Sequence, residues 1–213
     1  MAKLKVGVLI SGRGSNLAAL IEAAKAPDYP AEIVCVVSNV ATAAGLKIAS
    51  DAGVPTAAIS HRDFPDRESF DRAVSTDLEK HGVELVALAG FMRIQSAWFP
   101  ARWAGRIINI HPSLLPAFPG LHVQQQAIDA GVRVSGCTVH FVTPELDAGP
   151  IIAQAAVPVF AGDDADKLAA RILRQEHRLY PEVVRWFAEG RISLIDGQVS
   201  VKDAATVLFS SEP

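Results

Sequence analysis

Near its N-terminus the chain reads Lys5-Val6-Gly7-Val8-Leu9-Ile10-Ser11-Gly12-Arg13-Gly14-Ser15-Asn16, a short apolar run followed directly by a glycine-rich turn. The apolar run lacks strict alternation, which is typical of a strand buried on both faces. Leu17 and Leu20 then lie on one face of a predicted helix, which we expect Ser15 or Asn16 to cap. A buried strand, a glycine turn and a helix in this order indicate a parallel α/β sheet.

Working outward from this stretch, the same alternation of strands and helices continues. Strands are predicted over 32–37, 56–59, 84–89, 106–111, 134–141 and 150–159, and helices over 42–52, 66–81, 121–130 and 164–179. The tail differs, because Asp196-Gly197 between two short apolar segments predicts a β-hairpin with a type I′ turn. We expect one Rossmann-like α/β domain over 1–213, with a mostly parallel central sheet, helices on both faces and a C-terminal β-hairpin. Its halves would span about 1–105 and 106–213.

Composition narrows the class of protein. Hydrophobic residues make up 50% of the 213 residues and charged residues 20%, which excludes a disordered chain. The net charge of −3 lacks the basic excess of a nucleic-acid binder. No apolar stretch is long enough to span a bilayer and no signal peptide is evident, so we expect a cytoplasmic protein without membrane or nucleic-acid partners. Cys35 and Cys137 lie within apolar runs, which predicts buried thiols rather than metal ligands.

The turn over Ser11–Asn16 can direct backbone N–H groups and a helix N-terminus at an anion such as a phosphate. A dinucleotide-binding fingerprint would need a third glycine where Leu17 stands, and an acid where the second strand ends in Ser38-Asn39. An ATP-binding loop would need a following Gly-Lys-Ser/Thr. A monophosphate site therefore remains, beside the alternative of a tight turn whose glycines serve geometry alone.

Two polar residues, Asn109 and His111, close the strand predicted over 106–111. Side chains alternate along a strand, so both point to the same face, and Pro112 keeps His111 extended. The carboxyl ends of strands are where open α/β sheets bind ligands. An amide donor beside an imidazole can stabilise an oxyanion and move a proton. The alternative is a core histidine with its hydrogen bonds satisfied.

A second polar loop, Thr143–Pro150, follows the strand predicted over 134–141. Its plain interpretation is a surface turn, because it is rich in turn-forming residues. The functional hypothesis is that Asp147 meets His111 in space, where its carboxylate would favour the protonated imidazole.

Five segments, taken in order, resemble the phosphoribosylglycinamide (glycinamide ribonucleotide) formyltransferase family, folate-dependent enzymes of purine biosynthesis. They are Ser11-Gly12-Arg13-Gly14-Ser15-Asn16, Gly90-Phe91-Met92-Arg93-Ile94, Asn109-Ile110-His111-Pro112-Ser113-Leu114-Leu115-Pro116, His140-Phe141-Val142 and Asp147-Ala148-Gly149-Pro150. The resemblance extends to Gln175-Glu176-His177. It implies the formyltransferase fold, with a phosphate-binding N-terminal half and a catalytic and folate-binding C-terminal half. It also implies formyl transfer from 10-formyltetrahydrofolate, as co-substrate, to the glycine amine of the ribonucleotide.

The resemblance assigns roles by position. Its implied catalytic set has His111 as proton donor, Asn109 as oxyanion donor and Asp147 as the partner of His111. The residues implied for the ribonucleotide are Gly12, Arg13, Gly14, Ser15, Asn16 and, at its ribose or glycinamide end, Glu176. Those implied for folate are Arg67, Met92, Arg93, Ile94, Gln95, Asn109, Thr143, Pro144, Glu145, Leu146 and Asp147. No metal is expected, the partners are small molecules, and the protein is expected to be a monomer or homodimer.

Other functions compete with this interpretation. A methionyl-tRNA formyltransferase would be expected to carry a further C-terminal domain and a basic surface, whereas this chain is net acidic. A formyltetrahydrofolate hydrolase would be expected to carry an N-terminal regulatory domain, whereas the first strand is predicted from Lys5. A non-catalytic phosphate-binding module of Rossmann type would have no reason to place Asn109, His111 and Asp147 at strand ends. Without the resemblance, Arg67 and Glu176 would be taken as ordinary helix-surface charges.

Overall fold

The computed structural model describes residues 2–204 and 206–209, so both ends of the predicted 1–213 domain lie outside the described residues. The chain divides into two compact units, Met1–Asn109 and Ile110–Pro213. The division falls inside the strand that carries Asn109 and His111. The prediction that both units form one domain stays a prediction.

The first unit is a parallel sheet whose strands are joined mostly by helices. In chain order its elements are β1 (Leu4–Ile10), α1 (Ser15–Ala24), β2 (Ala31–Ser38), α2 (Ala44–Asp51), β3 (Thr56–Ala58), a short 3-10 helix (His61–Asp63), α3 (Arg67–Lys80), β4 (Leu85–Leu88), α4 (Trp98–Arg102) and β5 (Ile107–His111). The strands run parallel in the order β3-β2-β1-β4-β5. All of β4 and the last five residues of β1 are buried, so both faces of these two strands are covered, as their unbroken apolar runs predict.

The second unit begins with the last two residues of β5 and mixes strand directions. Its further elements are α5 (Val123–Asp129), β6 (Val134–Phe141), β7 (Ile151–Pro158), α6 (Ala165–Ala188), β8 (Ile192–Ile195), β9 (Gln198–Val201) and β10 (Val207–Phe209). β6 pairs antiparallel with β7, which pairs parallel with β10. β8 and β9 form the predicted hairpin, and Asp196 and Gly197 both have the positive φ that a type I′ turn requires. The prediction of a mostly parallel α/β sheet with a C-terminal hairpin is confirmed.

The predicted cap of α1 is wrong. Gly14, not Ser15 or Asn16, occupies the N-cap position, with φ +77, and no side chain of the described residues makes a capping hydrogen bond there. A Cβ added to Gly14 would lie 2.6 Å from Cα of Gly45 on α2. Glycine is therefore required at this position by both the left-handed backbone and the close approach of the two helices.

Helix α6 extends well past the predicted end at residue 179. It continues through Pro181 to Ala188, although proline removes one helical hydrogen bond. Leu179, Val183 and Val184 are all buried, so the apolar stripe persists on both sides of the proline. Burial of this stripe outweighs the local cost. Three short elements were not predicted, namely the 3-10 helix, α4 and β10.

Both cysteines are free and buried, as predicted. Burial, together with the nearby charge of Asp77, raises the pKa of Cys35 to about 12, so this thiol stays protonated. Over the described residues, the structure contains no helix with the length and apolar character needed to cross a membrane.

Candidate active site

The second unit brings two residues of the predicted catalytic set together. Nδ1 of His111, the last residue of β5, lies 3.6 Å from Oδ2 of Asp147 in the loop between β6 and β7. The side chains are only 6% and 9% exposed, so little water screens the interaction. The hypothesis that Asp147 meets His111 in space is confirmed.

The other ring nitrogen of His111, Nε2, also faces an oxygen atom. Nε2 lies 3.0 Å from the backbone carbonyl of Phe118. The Ser113 hydroxyl donates to the same carbonyl at 3.0 Å and to the carbonyl of Ala117 at 2.6 Å. Both ring nitrogens of His111 therefore face oxygen atoms of the protein, one a carboxylate and the other a carbonyl.

The Asp147 carboxylate is oriented by the same loop that holds His111. The N–H of Gly120 donates to Oδ2 of Asp147 at 2.8 Å. Asp147 itself adopts φ +51, a left-handed conformation that aspartate reaches more readily than most residues. The segment from Phe118 to Gly120 therefore binds both members of the pair, one through a carbonyl and the other through an N–H.

A second buried histidine lies close to the pair. His140, on β6, has Nδ1 2.8 Å from the Phe141 carbonyl, which can only accept, so Nδ1 carries the hydrogen. Burial lowers the pKa of His140, although the Phe141 carbonyl and the charge of Asp147 oppose this shift. His140 is therefore neutral near pH 7 and does not compete with His111 for the Asp147 carboxylate.

Asn109 and Glu176 lie on different elements and differ in burial. Asn109 lies on β5 opposite Leu88 of β4, one residue before the boundary of the first unit, and it is partly exposed. Glu176 lies on α6 and is buried, and its charge contributes to raising the pKa of both Cys137 and Tyr180. The alternative that Glu176 is an ordinary surface charge is therefore wrong.

The residues implied for the ribonucleotide in the first unit form the turn between β1 and α1. Gly14 and Asn16 are buried, Ser15 is half-buried, and Gly12 and Arg13 are exposed. The carbonyl of Gly12 accepts the N–H of Gly45 at 3.0 Å, which fixes the turn against α2. The first turn of α1 contains no acidic residue. Its backbone N–H groups thus meet no nearby carboxylate from their own helix.

The residues implied for folate in the first unit lie in the segment after β4. Met92 and Ile94 are 69% and 54% exposed, although both are apolar. Nε of Arg93 and Nε2 of Gln95 are buried and make no hydrogen bond within the described residues. The segment therefore combines exposed apolar side chains with N–H donors that lack an acceptor.

Arg67, at the start of α3, is exposed, as expected of a helix-surface charge. Its charge and that of Arg93 nevertheless act on the same carboxylate, Asp71, whose pKa is raised mainly by burial. Arg67 and Arg93 both oppose that rise, as do hydrogen bonds from Ser96. Arg67 is thus connected electrostatically to the segment after β4.

The residues implied for folate in the second unit belong to the loop of Asp147. Pro144, Glu145 and Leu146 are exposed, and Thr143 donates to the Glu145 carbonyl at 3.3 Å. In contrast, the side chain of Asp147 is almost fully buried.

Sequence reasoning missed several groups that shape the site. Phe118 and Gly120 act through backbone atoms, and backbone contacts leave no residue-type signal in the sequence. Ser11 and Asp71, which hold the segment after β4, were also missed. Among the described residues, no group of three or more His, Cys, Asp or Glu side chains could hold a metal ion.

Most of the chain is similar to proteins of known family. A family model described as Formyl transferase matches residues 4–184. Phosphoribosylglycinamide formyltransferase of Escherichia coli (strain K12) is 47% identical over 201 residues, which cover 92% of this chain and 95% of that protein. The crystal structure of phosphoribosylglycinamide formyltransferase from Anaplasma phagocytophilum matches with a TM-score of 0.91 and 49% identity, covering 98% of this chain and 100% of that chain.

A much longer relative also matches. The trifunctional purine biosynthetic protein adenosine-3 of Gallus gallus is 52% identical over 192 residues, which cover 90% of this chain but 19% of that protein. The chain thus spans about a fifth of that relative, and the likeness concerns that part alone. The family match and the nearly complete overlap with the Escherichia coli protein confirm the motif resemblance: the chain belongs to the formyl transferase family, among the phosphoribosylglycinamide formyltransferases.

Proposed function

We propose that this enzyme transfers the formyl group of 10-formyltetrahydrofolate to the glycine amine of 5-phosphoribosylglycinamide, a step of de novo purine (IMP) biosynthesis. The products are formylglycinamide ribonucleotide and tetrahydrofolate. The observation that carries the proposal is the buried His111–Asp147 pair, in a chain whose near-full-length relatives bear the name of this activity.

His111 is the proton donor of the formyl transfer. Attack of the neutral amine on the formyl carbon forms the new C–N bond and develops negative charge on the formyl oxygen and positive charge on the amine. The bond from the formyl carbon to the folate nitrogen then breaks, that nitrogen takes up a proton, and the amine loses one. A cationic imidazole stabilises that negative charge better than a neutral ring, and the buried Asp147 carboxylate lies 3.6 Å from Nδ1 of that ring. Nε2 shares its proton with the Phe118 carbonyl, so delivery from this nitrogen requires that hydrogen bond to be exchanged for one to the substrate.

Asn109 supplies a neutral donor to the same oxygen. It lies two residues before His111 on β5, so their side chains leave the strand on the same face. An amide N–H aimed at a developing oxyanion stabilises the transition state more than the ground state, which raises the rate rather than the affinity.

The turn from Gly12 to Asn16 binds the ribonucleotide phosphate. An anion at the N-terminus of α1 lies where the helix dipole and the backbone N–H groups of the first turn favour negative charge, and that turn carries no acidic residue. Gly12 supports this role, because a Cβ added there would meet nothing within 4 Å and its φ is not positive. The fold itself does not require glycine at this position, whereas close approach of a ligand does. Arg13 adds positive charge, and Glu176 accepts hydroxyl or amine hydrogens at the other end of the substrate.

The folate binds to Arg67, Met92, Arg93, Ile94, Gln95 and the loop from Thr143 to Asp147. A reduced folate has an apolar ring system, polar ring edges and acidic glutamate carboxylates. Met92 and Ile94 offer apolar contact. The buried N–H groups of Arg93 and Gln95, which have no partner in the part of the chain that the structure describes, suit the acceptors of such a ligand. When bound, the folate supplies the activated formyl group.

The test is an absorbance assay of tetrahydrofolate release from 10-formyltetrahydrofolate, run with and without the ribonucleotide. The proposal expects release that depends on ribonucleotide and yields formylated product in equal amount. Equal release in both runs, with free formate as product, would instead assign a hydrolase. Formylation of methionyl-tRNA in place of the ribonucleotide would assign a tRNA-directed enzyme.

A further inference from the structure

Ser11 occupies the junction between two functional segments of the first unit. It follows the last residue of β1 and immediately precedes the turn assigned to the ribonucleotide. Its backbone N–H donates to the Gly90 carbonyl at 3.0 Å, just beyond β4. Its hydroxyl oxygen accepts the N–H of Met92 at 2.7 Å, at the start of the segment assigned to folate.

The donor and acceptor roles of the Ser11 hydroxyl are both fixed by its partners. Its single hydrogen is donated to Oδ1 of Asn39 at 2.6 Å, so toward Met92 the oxygen can only accept. Asn39 is buried and follows β2, at the position where dinucleotide-binding proteins carry a ribose-binding acid. Here that position provides the acceptor that fixes Ser11, and consecutive hydrogen bonds of this kind polarise one another.

The folate segment is anchored at both ends. Ser11 holds Met92 at one end. At the other end, the carboxylate of buried Asp71 on α3 accepts the N–H of Ser96 at 2.6 Å and its hydroxyl at 2.7 Å. The side chains of Met92 and Ile94 nevertheless project into solvent. A segment whose backbone is fixed at both ends while its apolar side chains stay exposed is pre-organised for a ligand.

We infer that Ser11 is a positioning residue that fixes the Met92 backbone and thereby sets the geometry of the folate segment. This inference rests on the proposed function. The ribonucleotide turn is held independently, because Gly12 bonds to Gly45 and Gly14 packs against the same residue. Loss of the Ser11 hydroxyl should therefore weaken folate binding and leave ribonucleotide binding nearly unchanged.

The test compares Ser11→Ala with Ser38→Ala. Ser38, at the end of neighbouring β2, is a matched control, because its buried hydroxyl bonds to Val40 within its own turn. Calorimetry with tetrahydrofolate measures folate affinity without requiring turnover, and steady-state kinetics give KM for each substrate. Ser11→Ala should raise the folate Kd and KM roughly three- to tenfold, as loss of one hydrogen bond predicts. Ribonucleotide KM should stay within about twofold, since that turn keeps its own contacts.

Two further variants keep the test decisive if Ser11→Ala is poorly folded. Ser11→Thr retains the hydroxyl and should restore folate affinity relative to Ser11→Ala. Asn39→Ala removes the acceptor of the hydroxyl hydrogen and should weaken folate in the same selective way. The double variant should be no worse than Ser11→Ala alone, because both changes break one chain of hydrogen bonds.

Wild-type folate affinity in Ser11→Ala would overturn the inference. An equal loss for both substrates, or an equal loss in Ser38→Ala, would overturn it as well, since either result indicates general destabilisation. Failure of the proposed function has a different signature: the wild-type protein would release no tetrahydrofolate in response to the ribonucleotide, whatever the affinities of the Ser11 variants.

Discussion

Oδ2 of Asp147 lies 3.6 Å from Nδ1 of His111, and the same oxygen accepts the N–H of Gly120 at 2.8 Å. The carboxylate is therefore held in place by the backbone and cannot turn away from the ring without losing a hydrogen bond. Because both side chains are almost fully withdrawn from solvent, the charge of Asp147 acts on His111 with little screening. Removing that charge while keeping the shape isolates its contribution.

Asp147→Asn should lower kcat by on the order of 10²-fold or more, the usual scale of general acid catalysis. Without the carboxylate, the His111 ring loses the negative charge that lies 3.6 Å from Nδ1 and supports positive charge on the ring during proton transfer. Ribonucleotide KM should change little. Steady-state kinetics with each substrate varied in turn check both statements.

Asp166→Asn is a suitable control for that variant, because Asp166 is exposed in the first turn of α6. It should leave kcat unchanged. A kcat for Asp147→Asn close to that of the wild type, with a raised folate KM, would sink the electrostatic role. Asp147 would then act by contacting folate.

Asn109→Ala tests the oxyanion role. Loss of one such donor typically costs roughly 10²–10³ in kcat. The variant should still bind the ribonucleotide, because Asn109 is assigned to the reacting oxygen and the folate rather than to the phosphate. Steady-state kinetics and ribonucleotide titration measure the two effects separately. Turnover close to that of the wild type would eliminate the oxyanion assignment.

Gly12 and Gly14 should respond differently to substitution. Gly12→Val fits the fold, so Tm should hold while ribonucleotide KM rises, since the side chain enters the space of the phosphate. Gly14→Ala should instead lower the free energy of unfolding, by roughly 1 kcal/mol or more, because of the positive φ and the contact with Gly45. Thermal melts and kinetics of both variants distinguish these outcomes. A Gly12→Val enzyme with unchanged ribonucleotide KM would contradict the phosphate assignment.

The stability of the fold should depend on pH through His140. Burial lowers the pKa of His140 from 6.5, so the unfolded chain binds this proton more readily than the folded protein. The contribution of neutral His140 is present above about pH 6.5 and is lost as the pH falls toward the folded pKa. His140→Asn retains an N–H for the Phe141 carbonyl but cannot titrate.

Denaturant unfolding at several pH values between about 6.5 and 5 measures the effect. The wild type should lose stability on acidification more steeply than His140→Asn, by at most about 1.4 kcal/mol per pH unit. His177, whose pKa is also lowered by burial, contributes the same sign and remains in both proteins. Identical slopes of stability against pH in the two proteins would show that the folded protein binds a proton at His140 as readily as the unfolded chain does.

Elements with a strong local signal were predicted well. The unbroken apolar runs of β1 and β4 indicate burial on both faces, because a strand exposed on one face would alternate. The Asp196-Gly197 turn indicates a hairpin, because few dipeptides tolerate two successive positive φ angles. The polar strand end was also recognisable, since Asn109 and His111 are the two polar residues of an otherwise apolar strand.

The sequence by itself thus determined the α/β class, the strand ends that carry polar groups and the family to which the chain belongs. Only the tertiary structure decided that Gly14 caps α1 against Gly45, that α6 passes through Pro181, and that the Phe118 carbonyl and the Gly120 N–H hold the His111–Asp147 pair. These features depend on packing and on backbone atoms that are distant in sequence. Local residue preferences act within a few positions of the chain, so they carry no information about which carbonyl or N–H will face a given side chain.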